Sequence, residues 1–236
     1  MTAQVPVAAV TFDAGQTLVE LDTRMLADRL AERGVTVGDA ALEVAVPAAW
    51  QIYNQLVASG RATHTGGGWH ALMTALLAGA GVTTVEPLVD WLWTQQPTRN
   101  LWRRPVPGML ALVDDLRRSG IAVGVISNSE GRLAELFAEI GWSDRFPVIA
   151  DSGRLGIEKP DPRIFQWTLD RLAAAPEATV HVGDSWAADV VGARAAGLRA
   201  IWFGPQAVAG ADHDVAVCAD AGAVRAALSR WGVRLA

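Results

Sequence analysis

The sequence predicts an α/β fold: a mostly parallel sheet flanked by helices, with an all-helical cap inserted early. Three observations predict it. A short apolar run, VAAVTF, comes near the start and ends in Asp13; such a run fits a strand buried on both faces of a parallel sheet. From residue 105 onward, short apolar runs alternate with longer helical stretches, the pattern of right-handed βαβ units. Between the two, residues 20–104 carry helical periodicity and no strand pattern.

In order, the first strand is followed by a helix over 23–33, ended by Gly34, and a helix over 39–58 that Pro47 can split in two. Helices are predicted over 69–78 and 84–95, with the glycines 66–68 as a short loop. Residues 20–104 read as the cap, and residues 1–19 with 105–236 as a Rossmann-like catalytic core. In that core come helix 108–119, strand 121–126, helix 130–140, a short strand at 147–150 and helix 161–174, with a proline where helix starts tolerate one. Strand 179–182, helix 186–196 stopped by Gly197, strand 198–203 and helix 221–230 complete it. Five of the ten tryptophans fall in the insert and read first as packing between its helices.

Composition narrows the function. The chain has 236 residues, 51% of them hydrophobic, enough for a sizeable core. A net charge of -5 and no basic block argue against nucleic acid. No apolar run is long enough to span a membrane, and no signal peptide is read, so the expected location is the cytoplasm. A single cysteine, Cys218, fits a reducing compartment and reads as a buried, inert thiol. Of 20 basic residues only Lys159 is lysine. A site that needs a compact point charge would account for it.

Four stretches end or follow strands: FDAGQTL with Asp13, ISNS with Ser127 and Asn128, EKPDPRIF with Lys159, and HVGDSWAAD with Asp184 and Asp189. In a parallel sheet all four meet at one edge, where ligands bind. Asp13 can act as a nucleophile that forms an acyl phosphate. The Ser127 hydroxyl and nearby backbone N–H groups can hold phosphoryl oxygens. Lys159 can neutralise charge on nucleophile and transferring group. Asp13 and Asp184 are hard oxygen ligands suited to Mg²⁺. Asp189 can orient Lys159 or a metal-bound water, or favour a helix dipole.

In this order and spacing the four stretches resemble the haloacid dehalogenase-like hydrolase superfamily, in its branch with a helical cap after the first strand. The resemblance covers essentially the whole chain. It implies Asp13 as nucleophile, Ser127 and Lys159 as phosphate-site residues, and Mg²⁺ held by Asp13, the carbonyl of Gly15 and Asp184. The expected activity is hydrolysis of a small phosphorylated metabolite. Two positions depart from the family pattern. Gly15 stands where phosphatases of this family carry a second aspartate, the residue that protonates the leaving group and activates water. Gln16 stands in a slot usually held by glycine.

Gly15 leaves other readings open. A 2-haloacid dehalogenase would need no leaving-group proton. A catalytically reduced binding or regulatory protein would need no acid at all. His64 and His70 are candidates for a replacement acid, though an ordinary loop and helix start is the plainer reading. His181, inside an apolar strand, reads as a satisfied core histidine, and His213 is given no role.

Overall fold

The computed structural model describes residues 5–63, 67–205, 207 and 215–235. His64, Gly66 and His213 lie outside them. The chain divides into two compact units: Met1–Glu20 with Arg104–Ala236, and Leu21–Arg103.

In the first unit β1 (Ala9–Phe12) is wholly buried, every residue at 0% exposure. A strand so placed can hold only residues that pack or find partners on both sides. After the second unit the chain returns through α5 (Met109–Arg118), β4 (Ala122–Ser127), α6 (Leu133–Glu139), β5 (Val148–Asp151), α7 (Ser152–Leu155) and α8 (Pro162–Leu172). It then runs through β6 (Thr179–Gly183), a π-helical turn (Trp186–Val191), α9 (Gly192–Ala195), β7 (Arg199–Phe203), β8 (Ala216–Cys218) and α10 (Ala221–Arg230). Among the described residues the sheet has six strands in the order β5-β4-β1-β6-β7-β8, every neighbouring pair parallel. This is the doubly wound Rossmann-type order, which reverses direction beside β1.

Local sequence explains the flanking helices. α5 buries Met109, Leu112, Val113 and Leu116, an apolar stripe at helical spacing. α8 starts where the Asp161 carboxylate accepts the Arg163 N–H at 2.9 Å, with Pro162 in the first turn. Cys218 is buried in β8, which pushes its thiol pKa up to about 11.

The second unit has its own core. α1 (Thr23–Ala31), α2 (Asp39–Ala58), α3 (Trp69–Gly79) and α4 (Glu86–Gln95) pack around Leu26, Leu30, Leu42, Leu76, Leu77 and Leu92. Trp69 is fully buried and its ring lies 5.0 Å from Trp93 and 6.5 Å from Trp102. Tilted rings at such distances are core packing.

The structure corrects several expectations. α2 runs unbroken through Pro47, because the proline sits on the exposed face while Leu42, Ala45 and Ala49 hold the other face in the core. The strands β2 (Val19–Leu21) and β3 (Trp102–Pro105) pair at the ends of the helical segment; they are too short to show a period of two. β8 is too short for the same reason and also lies outside the expected strands. The helix expected over 186–196 is a π-helical turn followed by α9.

Pro47→Ala should stabilise the protein. It restores a backbone hydrogen bond and removes a ring clash worth about 3 kcal/mol, less the ~1 kcal/mol that proline gains by restricting the unfolded chain. A rise of roughly 1–2 kcal/mol in denaturant unfolding checks it.

Candidate active site

The sheet order brings three strand ends together. Phe12 of β1 is level with Val125 of β4 and Val182 of β6. Asp13 follows β1, Ser127 ends β4 and Asp184 follows β6. The Asp13 backbone N–H donates to Val182 O at 2.8 Å, tying the end of β1 to that of β6.

At the centre stands Lys159, 5% exposed. Its ammonium donates to Asp13 Oδ1 and to Asp189 Oδ1, each at 2.6 Å. Two of its three protons are thus engaged. Burial alone would lower the lysine pKa, but Asp13 and Asp189 outweigh it and hold the ammonium above its usual range. Asn128 fixes the backbone behind it: the Lys159 N–H donates to Asn128 Oδ1 at 2.8 Å, and Asn128 Nδ2 donates to Lys159 O at 3.1 Å. The Asn128 carboxamide thus clamps the Lys159 backbone, with one Nδ2 proton and one Oδ1 lone pair used in doing so.

Asp189 has partners on both carboxylate oxygens. Oδ1 takes Lys159 and lies 3.1 Å from His181 Nε2; Oδ2 accepts the Ser185 N–H at 2.9 Å. Burial would raise its pKa, yet Lys159 and His181 push it below the usual carboxylate range. The π-helical turn aims Asp189 back over β6, as such turns often do at functional sites. Gly183 makes the room: a Cβ there would collide with the Asp189 carboxylate.

Asp13, Asp184 and Asp189 each offer a carboxylate oxygen within 4.8 Å of the others. Burial, then Asp13 and Asp189, raise the Asp184 pKa well above its ordinary value, and burial raises that of Asp13 despite Lys159. Three buried carboxylates beside one ammonium are under-neutralised, and the donors are all hard oxygens. That set fits a divalent cation such as Mg²⁺. With both Asp189 oxygens engaged, Asp13 and Asp184 are the better donors to it.

Gly15 lies in the tight turn after Asp13, where it bridges to Val19, and Gln16 N–H donates to Val19 O at 2.7 Å. Gln16 has φ 57°, the left-handed region that glycine enters without cost. The turn explains why a glycine suits that slot and why Gln16 is strained in it.

Sequence reasoning missed several supporting residues. Asp151 Oδ1 accepts from Ser129 Oγ and the Gly131 N–H, and Oδ2 from the Leu133 N–H, so a buried carboxylate shapes the loop after Ser127. The Trp202 indole donates to Asp184 O at 2.9 Å. An acid closing a strand is a readable signal; the tryptophan is not. His70 lies against Trp69 and Trp93 with Nε2 3.7 Å from Asp90, a packing role within its own unit.

Gly183→Ala should expel the Asp189 carboxylate and leave Lys159 half-paired. Breaking a buried ion pair costs about 3–5 kcal/mol. Denaturant unfolding should register a loss of that order.

Comparison with known proteins gives the family and the fold. A family model described as haloacid dehalogenase-like hydrolase matches residues 7–197. Haloacid dehalogenase-like hydrolase domain-containing protein 3 of Mus musculus is 26% identical over 208 residues, 84% of this chain and 82% of that protein. Phosphoserine phosphatase of Thermus thermophilus is 39% identical over 97 residues, only 41% of this chain and 39% of that protein. The HAD-hydrolase YfnB of Bacillus subtilis, solved bound to magnesium, shares the fold with a TM-score of 0.73 at 18% identity, covering 94% of this chain and 99% of that one. The chain belongs to the haloacid dehalogenase-like hydrolase family.

Proposed function

We propose that the protein is a Mg²⁺-dependent phosphatase of a small phosphorylated metabolite, working through an aspartyl-phosphate on Asp13. One observation carries this reading: the Asp13 carboxylate, on the ligand-binding edge of the sheet, is held at 2.6 Å by the chain's single lysine. Similarity to a phosphoserine phosphatase and to a magnesium-bound structure of the same fold supports it.

Lys159 fixes Oδ1 and leaves Oδ2 as the attacking atom. Oδ2 forms a bond to phosphorus, and the bond from phosphorus to the leaving oxygen breaks with its electron pair going to that oxygen. Water then attacks the same phosphorus, the bond from phosphorus to Asp13 Oδ2 breaks with its electron pair returning to the carboxylate, and inorganic phosphate leaves as a proton of the water passes to solvent. The Ser127 hydroxyl and the Asn128 backbone N–H hold phosphoryl oxygens, and the third Lys159 proton is available to another. A cation held by Asp13, the Gly15 carbonyl and Asp184 would neutralise the carboxylates and the phosphoryl group. Asp189 and the Asn128 side chain position Lys159.

Proton transfer is the weak step. Gly15 supplies no acid for the leaving group and no base for water, and such a group contributes roughly 10²–10⁴-fold. Aryl and acyl phosphates, whose leaving groups need no proton, are therefore the favoured substrates. Gly15 is also the observation that keeps dehalogenation and a binding role in view.

Three outcomes are expected. Asp13→Asn should abolish Mg²⁺-dependent phosphate release; persisting release removes Asp13 as nucleophile. Gly15→Asp should raise turnover of alkyl phosphates more than that of aryl phosphates, and an unchanged ratio means the acid comes from elsewhere. Mg²⁺ should raise the thermal midpoint of the wild type but not of Asp184→Asn. A panel including 2-haloacids tests the alternative, which predicts metal-independent halide release.

A further inference from the structure

A buried histidine is left over by the mechanism above. His181 lies in β6 at 0% exposure, and Thr11, also at 0%, is its register partner across the parallel pair β1–β6. The Thr11 Oγ1 to His181 Nδ1 distance is 2.9 Å. On the other side of the ring, Nε2 lies 3.1 Å from the Asp189 oxygen that also receives Lys159. The Phe165 ring, from α8, meets the imidazole edge-on at 5.2 Å.

Proton positions follow from the chemistry of the partners. Asp189 is an ionised carboxylate and can only accept, so Nε2 carries a proton. Burial pushes the His181 pKa down, which favours the neutral ring. A neutral ring protonated at Nε2 has a lone pair at Nδ1, and only the Thr11 hydroxyl faces it as a donor. The chain of donors therefore runs from Thr11 through His181 to Asp189, where it meets the ammonium of Lys159.

We propose that Thr11 and His181 are positioning residues for the reaction. Thr11 locks the His181 imidazole as its Nε2–H tautomer. That N–H holds Asp189 Oδ1 at the point from which it steers Lys159 onto Asp13. The alternative tautomer would set a lone pair against the carboxylate and push Asp189 away. Valine at position 11 would fill the same space and pack as well, so burial alone does not call for the hydroxyl. The inference rests on the proposed roles of Asp13 and Lys159, but its geometry can be read without turnover.

The single lysine makes that reading direct. Protein labelled with ¹⁵N-lysine gives one ammonium resonance, from Lys159, and ¹⁵N-histidine labelling reports the His181 tautomer. The full chain with Mg²⁺ is compared as wild type, Thr11→Val, Thr11→Ser, His181→Leu and His181→Gln, with p-nitrophenyl phosphate as the kinetic probe. Wild-type His181 should be protonated at Nε2 alone. His181→Leu should shift the lysine resonance and lower kcat roughly 10- to 100-fold, as a small misplacement of a reacting group does, with KM nearly constant. His181→Gln, which keeps a donor near Nε2, should restore most of both. Thr11→Val should lower kcat with histidine at 181 but have little effect in the His181→Gln background, and Thr11→Ser should behave as wild type. An Nδ1–H tautomer, an unmoved lysine resonance in His181→Leu, or additive losses in Thr11→Val/His181→Gln would overturn the proposal. If the wild type turns over no phosphate ester, the phosphatase reading fails while the two resonances still decide this one. If His181→Leu does not fold, Thr11→Val and His181→Gln carry the test.

Discussion

The site depends on one buried ammonium shared between two carboxylates. Lys159 reaches Asp13 and Asp189 at equal distance, 2.6 Å, in a setting almost closed to water. Buried charges are costly unless paired and hydrogen-bonded, so each member of this triad demands the others. Asn128 holds the lysine backbone, Gly183 leaves room for Asp189, and Ser185 and His181 saturate it. The sheet order supplies the frame, since β1 and β6 must be neighbours for Asp13 and Asp189 to share one lysine and for His181 to reach Asp189.

The arrangement divides labour among four aspartates that the sequence presents alike. Asp189 is depressed and fully engaged, a structural anion. Asp151 is consumed by the loop it shapes. Asp13 and Asp184 are raised, burial being the largest cause, and keep the capacity to meet a cation and a phosphoryl group. Environment, not residue type, separates the fully engaged carboxylates from those whose pKa values are raised.

Much of this is legible in the order of the amino acids. Alternating apolar runs and helices predict a parallel sheet, and a ligand-binding edge follows from chain order. The lone lysine is conspicuous against 19 arginines. What is not legible has physical causes. His181 sits in a run of apolar residues, and nothing in a one-dimensional pattern says that its two nitrogens face Thr11 and Asp189. Asn128 offers the same carboxamide to a ligand or to a backbone, and only the fold shows Lys159 behind it. Gly183 looks like an ordinary turn glycine until the π-helical turn brings Asp189 over it. Pro47 misleads because a buried face on one side of α2 outweighs one lost hydrogen bond.

The central claim is that Asp13 becomes phosphorylated. Gly15 leaves hydrolysis of that acyl phosphate without a base, so the intermediate should accumulate. The direct measurement is a borohydride quench of protein turning over an acyl phosphate with Mg²⁺, followed by peptide mass analysis. Reduction should convert Asp13 alone to homoserine. Steady turnover with Asp13 unmodified, or modification at another carboxylate, would contradict the account.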